Sequence, residues 1–269
     1  ATPAADWLQV QPLQAEVAVD AQGRLQRLRA DAGRMRLGDA LTLAWDELRL
    51  EAGALQWQAR LEDLAVAPLL ARWQPDMGWE GNLRIGGTLA LALDERTRVD
   101  LVLERRGGDL GVRESPELSI PLGLTDLRLA LQAQDGEWTF TQALAGRTMG
   151  ELGGVLRVQS TPQARWPAAD DPLDGALAGR VANLGVWGAW VPAGWRLQGA
   201  VSSEVRFGGS LGAPELRGSL TGQGLGVRNL LQGVHVRDGE VLLRLEGERA
   251  SIERFELRGG DGRLTLSGG

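Results

Sequence analysis

The segment RVDLVLERR (residues 98–106) places Val99, Leu101 and Leu103 on one side of an extended chain and Asp100 and Glu104 on the other. This period of two predicts a β-strand with one dry and one wet face. The pattern recurs along the chain, so the sequence predicts an all-β fold made of many such strands. Further examples are LQWQARLE (55–62), IGGTLALAL (85–93), TDLRLALQ (125–132), VRFGG (205–209), GEVLLRLEG (239–247) and RLTLS (263–267).

Turn signals separate these runs. Asp135-Gly136, Asp238-Gly239 and Asp261-Gly262 each predict a tight hairpin, because an Asp-Gly pair tolerates positive φ. Residues 94–97 (DERT) predict a looser hairpin. The 38 glycines in 269 residues are about twice the usual ~7%, which also favours many turns. We therefore expect mainly antiparallel pairing between strands that follow one another in the chain.

Two segments depart from this period. Val66, Leu69, Leu70 and Trp73 recur at helical spacing within 66–73, and residues 183–191 show the same spacing. Each segment leads into a proline, a Gly-Trp pair, a strand and a Gly-Gly-Thr/Ser-Leu run. This shared order predicts repeat units at roughly 64–110 and 183–225. Residues 161–175, with three prolines and several aspartates, predict a long surface excursion inside one continuous unit, 1–269.

The sequence gives little support for a catalytic or metal-binding site. The chain has no cysteine and one histidine, His235, which the alternation places on the wet face of a strand. Asp170, Asp171 and Asp174 do not match a calcium-loop spacing, and the glycines at 222, 224 and 226 predict a bend in a strand. We expect no enzyme activity, no cofactor and no metal, and the net charge of −6 argues against nucleic acid as a partner.

No apolar run reaches the ~18–20 residues that span a bilayer. The strand pattern continues close to the last residue, at Leu264 and Leu266, and the first residues show no leader. We expect the sequence to be a piece of a longer protein whose membrane anchor lies elsewhere.

Two segments resemble a known family. GGSLGAPELRGSLTGQGL (208–225) and RDGEVLLRLEGERASIERFELRGGDGRLTLSGG (237–269) are similar to the repeating segments of the TamB family in the AsmA-like superfamily. The Trp-Pro-Gly-Trp segments at 73–79 and 190–195 resemble it too. The resemblance covers most of 64–269 and is weaker over 1–63, where only the alternation supports it.

This resemblance implies an elongated, twisted, mainly antiparallel sheet curled into an open U-shaped groove, the β-taco, with one or two short helices. It further implies a periplasmic protein of a diderm bacterium, anchored in the inner membrane and acting with a TamA-like outer-membrane barrel. The implied function is phospholipid transport between the two membranes, with support of outer-membrane biogenesis. The pattern suggests a mid-shaft segment that contains neither the anchor nor the docking end.

The dry faces of the strands supply the candidate groove. Its side chains would contact phospholipid acyl chains, with each buried CH₂ contributing about 0.8 kcal/mol. Two alternatives remain: a chaperone or scaffold that holds unfolded outer-membrane strands by edge pairing, and a closed solenoid stalk. The predicted lining residues are Leu89, Leu91, Leu93, Val99, Leu101, Leu103, Leu127, Leu129, Leu131, Trp138, Phe140, Val241, Leu243, Leu245, Leu264 and Leu266.

Overall fold

The structure is a computed structural model. The residues that it describes are 8–11, 14–75, 78–115, 118–185, 187, 194–229, 231–247, 249–260 and 262–268.

The described chain is built almost wholly of β-strands, with one short α-helix. In chain order the elements are β1 (Leu8–Gln11), β2 (Ala15–Val19), β3 (Leu25–Ala30), β4 (Gly33–Leu37), β5 (Leu41–Glu51), β6 (Ala54–Ala65), α1 (Val66–Trp73), β7 (Trp79–Gly81), β8 (Arg84–Leu93), β9 (Thr97–Gly107), β10 (Leu110–Ser115), β11 (Leu118–Pro121), β12 (Leu124–Gln134), β13 (Glu137–Gly146), β14 (Gly150–Gln159), β15 (Leu173–Val181), β16 (Trp195–Gly209), β17 (Pro214–Asn229), β18 (Val234–Gly247), β19 (Arg249–Gly259) and β20 (Gly262–Gly268).

One sheet contains 17 of the described strands. From β5 onward, each strand pairs antiparallel with the next strand in the order β5, β6, β8, β9 and then β12 to β20. At the other end, β3 and β4 pair with β5, and they in turn pair with β2 and β1. The sheet is open and does not close into a barrel, which confirms the predicted fold class.

The small strands β7, β10 and β11 form a separate three-stranded sheet. This small sheet, α1 and the connections around residues 82 and 122 lie at one end of the long strands. Strong alternation is lacking in these segments, and the small sheet is therefore not predicted by the sequence.

The Asp-Gly signals had different outcomes. Asp135-Gly136 forms the predicted tight turn, with φ of 50° and 85°, between β12 and β13. The hairpin predicted at Asp238-Gly239 is wrong, because both residues lie inside the single strand β18. Asp238 has φ of 53° and the pairing register shifts around it, so the same tolerance of positive φ produces a β-bulge. Asp261 lies outside the described residues, although β19 and β20 pair as the hairpin requires.

The two predicted helices also differ. Residues 66–73 form α1 as expected. Most of 183–191 lies outside the described residues. Within its described part, Leu184, Gly185 and Trp187 form a short 3₁₀ turn, and the backbone N–H of Gly185 donates to Asn183 Oδ1 at 2.8 Å.

The predicted repeat units are built differently over their described residues. Trp79 begins the short strand β7 of the small sheet, whereas Trp195 begins the long strand β16. Gly86-Gly87 lies near the start of β8, and Gly208-Gly209 ends β16. The excursion predicted at 161–175 ends earlier, because β15 begins at Leu173.

The molecule exposes far more surface than a compact protein of its size. Its solvent-accessible area is 16981 Å², whereas a compact monomer of 28.9 kDa exposes about 11400 Å². Buried apolar side chains gather in two small clusters, one around Leu83 and Leu122 and one around Val99 and Trp138, and others, such as Val112, lie outside both. Most of the apolar face of the sheet is therefore neither packed into a core nor fully exposed. Across the described ranges, no helix is long and apolar enough to span a membrane.

Candidate functional site

The predicted lining residues share one face of the sheet. Residues directly opposite in an antiparallel pair point to the same side. One row of such pairs runs across consecutive strands from β6 to β13, and every member is apolar. It consists of Ala59, Leu89, Leu101, Leu131 and Phe140.

Parallel rows flank this row along the strands. Leu91 faces Val99, and Leu103 faces Leu129, so both pairs lie on the same side as Leu101. Leu93 and Leu127 extend the set toward opposite ends of their strands. These residues and their neighbours form a continuous surface, which we call the apolar face.

The apolar face continues through the second half of the sheet. Phe140 faces Leu156, and the row proceeds through Gly175 and Phe207 to Leu216. Further along, Leu220 faces Leu243, Gly218 faces Leu245, Val241 faces Phe255, Phe255 faces Leu266 and Leu257 faces Leu264. All the predicted lining residues thus lie on one surface, although their role in binding lipid stays a prediction.

The exposure of the predicted residues varies with position. Trp138 and Val99 are buried, at 6% and 8% exposed, and most of the others are half-buried. Leu264 and Leu266 are about half exposed, at 51% and 49%, and among the described strands β20 pairs with β19 alone. A row of half-buried leucines is what an unfilled trough presents to solvent.

A segment between β14 and β15 covers one end of the apolar face. We call residues 160–172 the strap. The ring of Trp166 in the strap lies against that of Trp138, with centroids 5.6 Å apart and planes tilted by 35°. The hydroxyl of Thr97, which is 5% exposed, donates to the carbonyl of Arg165 at 3.2 Å. The strap therefore sits over the inner side of the sheet.

The strap forms hydrogen bonds with two hairpin turns that lie many strands apart in the sheet. Arg165 donates through Nη2 to the carbonyl of Gly53, in the β5–β6 turn, at 3.1 Å. The N–H of Gly212, in the β16–β17 turn, donates to the carbonyl of Ala169 at 2.6 Å. A second bond, from Leu211 N–H to the carbonyl of Asp171 at 2.9 Å, holds the same turn.

These ties require the sheet to curl. Eight strand spacings separate the two turns, which is about 38 Å in a flat sheet. The four residues from Arg165 to Ala169 span at most about 14 Å, and an arginine side chain adds the reach of about two more residues. Even with both hydrogen bonds, the strap reaches only about 27 Å. The edge must bend inward, and the contact of Trp166 with Trp138 puts the apolar face inside the bend.

The opposite ends of the same strands are covered by α1 and the small sheet. Ala67, Leu83 and Leu122 are buried there and pack with Leu127 and Leu144 of the apolar face. The carboxylate of Asp109 fixes the entry into β12, since it accepts from the N–H of Gly123 at 3.0 Å and of Leu124 at 2.9 Å. The trough between β6 and β15 is thus bounded at both strand ends.

The outer face is polar and carries many ion pairs. A cavity of about 910 Å³ lies on this side, and its wall includes Gln58, Asp100 and Gln132. Gln58 and Asp100 both lie opposite Ala90, and Asp100 lies opposite Gln132. Most of the cavity wall is polar, although Leu91 and Val99 of the predicted lining also contribute to it. Within the described ranges, no three carboxylate or imidazole side chains converge to hold a metal ion.

Sequence reasoning missed the strap residues that define the trough. Thr97, Arg165 and Trp166 were not among the predicted site residues. A tryptophan next to an arginine in a proline-rich loop was the available signal, since a large aromatic residue in an excursion needs an apolar surface to cover.

The fold and the site define a class: an open, curled, antiparallel β-groove with an apolar inner face. The family model described as TamB, N-terminal domain, matches residues 48–221, and the chain belongs to the TamB family. That segment runs from β5 into β17 and includes the strap and both ends of the trough. The position of this segment along the shaft of a longer chain stays a prediction. No curated protein and no solved structure matches the chain.

Proposed function

We propose that this chain forms part of a conduit in which phospholipid acyl chains lie against the apolar face while the lipid moves between two membranes. The observation that carries the proposal is the uninterrupted run of apolar residues, strand after strand, on the inside of a curled sheet. Apolar contact is non-directional, so a chain held only by such contacts can slide. The conduit acts by binding, without a chemical step.

The half-buried state of the inner leucines supports this reading. Each acyl CH₂ that leaves water for this surface contributes about 0.8 kcal/mol. The distance from Trp138 to Leu144, between the strap and the covered end, is six residues or about 20 Å. One leaflet of a bilayer holds acyl chains of about 15 Å, so the open part of the trough accommodates them.

Site-specific photo-crosslinking in cells tests the proposal, with the full-length protein carrying the crosslinker at Leu101 or at Leu243. The matched controls are Asp100 and Arg244, which neighbour these residues and point to the outer face. We expect lipid adducts at the two leucines and few at the controls. Equal labelling of both faces would exclude the assignment of the inner face as the binding surface.

The same experiment separates the alternative function. A chaperone or scaffold for outer-membrane proteins would yield protein adducts at Leu101 and Leu243 in place of lipid. Family membership supports the wider setting that we propose: a periplasmic location, an inner-membrane anchor elsewhere in the full-length protein and an outer-membrane barrel partner of the TamA type.

A further inference from the structure

A row of basic residues runs across the second half of the sheet, along the ends of successive strands. We call this line of strand ends the edge. In each of the five consecutive strands β16 to β20, the second residue from this edge is basic: Arg196, Arg228, His235, Arg258 and Arg263. All five are exposed and lie on the outer face. We call them the basic rim.

The pairing register brings these charges together. Arg196 faces Arg228, which faces His235, and Arg258 faces both Arg237 and Arg263. Like charges directly opposite each other in a sheet are destabilising. The two adjacent rows therefore hold two guanidinium groups, Arg196 and Arg228, directly opposite each other and three more, those of Arg237, Arg258 and Arg263, in line, although the chain has a net charge of −6.

The carboxylates nearby leave the basic rim with excess positive charge. Glu256, 8% exposed, lies 2.5 Å from Arg263 and 3.8 Å from Arg258, and Arg254 approaches it at 3.9 Å. One carboxylate is thus shared by three guanidinium groups, of which Arg254 also pairs with Glu240 at 2.8 Å. No carboxylate among the described residues pairs with Arg228.

The inner side of the same edge is apolar. Leu197 faces Val227, which faces Val236, on the apolar face directly behind the basic rim. At the tip between β17 and β18, Leu231 is 92% exposed. The edge therefore presents cations outside and hydrocarbon inside, which matches the boundary between a lipid headgroup and its acyl chains.

We propose that the basic rim binds the phosphate groups of lipids whose acyl chains lie on the apolar face behind it. This inference rests on the proposed function and adds to it a binding site for the anionic headgroup phosphate, at the basic rim. Guanidinium groups suit this role because they bind phosphate oxygens through two parallel N–H donors. From His235 to Val241 along β18 is about 20 Å, so a chain of about 15 Å anchored at the rim extends toward Val241.

The experiment compares two lipids that differ only in the headgroup. Full-length protein carrying a photo-crosslinker at Val241 is incubated with vesicles that contain either phosphatidylglycerol or diacylglycerol with the same acyl chains. The adduct of each lipid is quantified by mass spectrometry. We expect about tenfold more adduct with phosphatidylglycerol, equivalent to one charge-assisted contact that survives at an exposed site.

Two matched variants identify the residues responsible. Arg196→Gln with Arg228→Gln removes two facing charges of the basic rim, and Arg206→Gln with Arg217→Gln removes two facing charges at the other end of the same strands. The first pair of substitutions should reduce the ratio of phosphatidylglycerol adduct to diacylglycerol adduct to near one, while leaving the amount of diacylglycerol adduct unchanged. The second pair should retain the tenfold preference.

Each failure has a distinct meaning. If the unmodified protein captures both lipids equally, the basic rim does not read phosphate, while the conduit itself stands. If both variant pairs lose the preference alike, the effect is one of general charge and the assignment to this rim is overturned. If neither lipid is captured at Val241 in any variant, the proposed function fails together with the inference.

Discussion

The strap should control how far the sheet is curled. Replacing Arg165 and Trp166 with alanine removes the tie to Gly53 and the ring contact with Trp138. Trp166 is 60% exposed, so about 100 Å² of its side chain is buried, which contributes about 2.5 kcal/mol. With at least about 0.5 kcal/mol each for the ring contact and the hydrogen bond, the lost free energy is about 3.5 kcal/mol, a factor of several hundred in the ratio of open to curled forms.

The change in curl can be measured as a distance. The chain has no cysteine, so spin labels can be placed uniquely by Ala52→Cys and Leu211→Cys, in the exposed turns at the two ends of the strap's reach. Double electron–electron resonance should give a separation of at most about 27 Å with the intact strap, shifting toward the flat-sheet value of about 38 Å in the variant. Label linkers add a similar offset to both measurements.

A control and two outcomes make this test decisive. Gln163→Ala changes an exposed strap residue outside both ties and should leave the separation unchanged. A separation near 38 Å with the intact strap would contradict the length argument. A short separation that persists in the variant would mean that the strands set the curvature without help from the strap.

Three further predictions concern stability. Gly136→Ala places a Cβ about 2.4 Å from the Ser160 carbonyl at a φ of 85°, so chemical denaturation should show a loss of about 1–3 kcal/mol; an unchanged midpoint would contradict the turn geometry. Asp109→Ala leaves three backbone N–H groups, those of Leu110, Gly123 and Leu124, without their acceptor and should cost about 2–3 kcal/mol by the same measurement, with a smaller loss for Asp109→Asn. The hydrogen bond from Arg263 lowers the pKa of Glu256 below its ordinary 4.5, so its contribution to stability is fully present above that pH and is lost as the pH falls through the lowered pKa. The gap in denaturation midpoint between the native chain and Glu256→Gln should therefore stay constant above pH 4.5 and shrink as the pH falls below it, and a gap that does not change with acidification would refute it.

Local patterns in the sequence were enough to predict the sheet. Alternation such as that of 98–106 marks which side chains share a face, and an antiparallel register then joins Leu101 to Leu89 and Leu131. Asp135-Gly136 set one of the turns as predicted. These features depend on residues close in the chain, so they are readable without coordinates.

Features that depend on distant contacts were not predictable. The strap bond from Arg165 to Gly53 joins residues 112 positions apart, and no local pattern encodes it. The misassigned turn at Asp238 has a similar origin. Asp-Gly permits positive φ in both a turn and a bulge, and only the pairing of β17 and β19 on either side selects the bulge.

The basic rim could not be predicted from the sequence for a third reason. Arg196, Arg228 and Arg263 are ordinary outward-facing residues in their own strands, each separated from the next by many positions in the sequence. Their proximity follows only when the register aligns the ends of five strands.

The two ends of the trough and the basic rim together explain why an open apolar sheet can persist in water. The strap covers Trp138 at one end of the strands from β6 to β15, and Leu122 is buried at the other end, while the middle of the face and the strands toward β20 stay less covered. That uncovered surface is a cost, because unburied leucines contribute nothing to folding. A bound acyl chain removes the cost without adding a directional contact, and a headgroup held at the edge would orient the chain along the strands. The same geometry that makes the empty sheet only partly buried therefore favours a cargo with a long apolar body and a single anionic end.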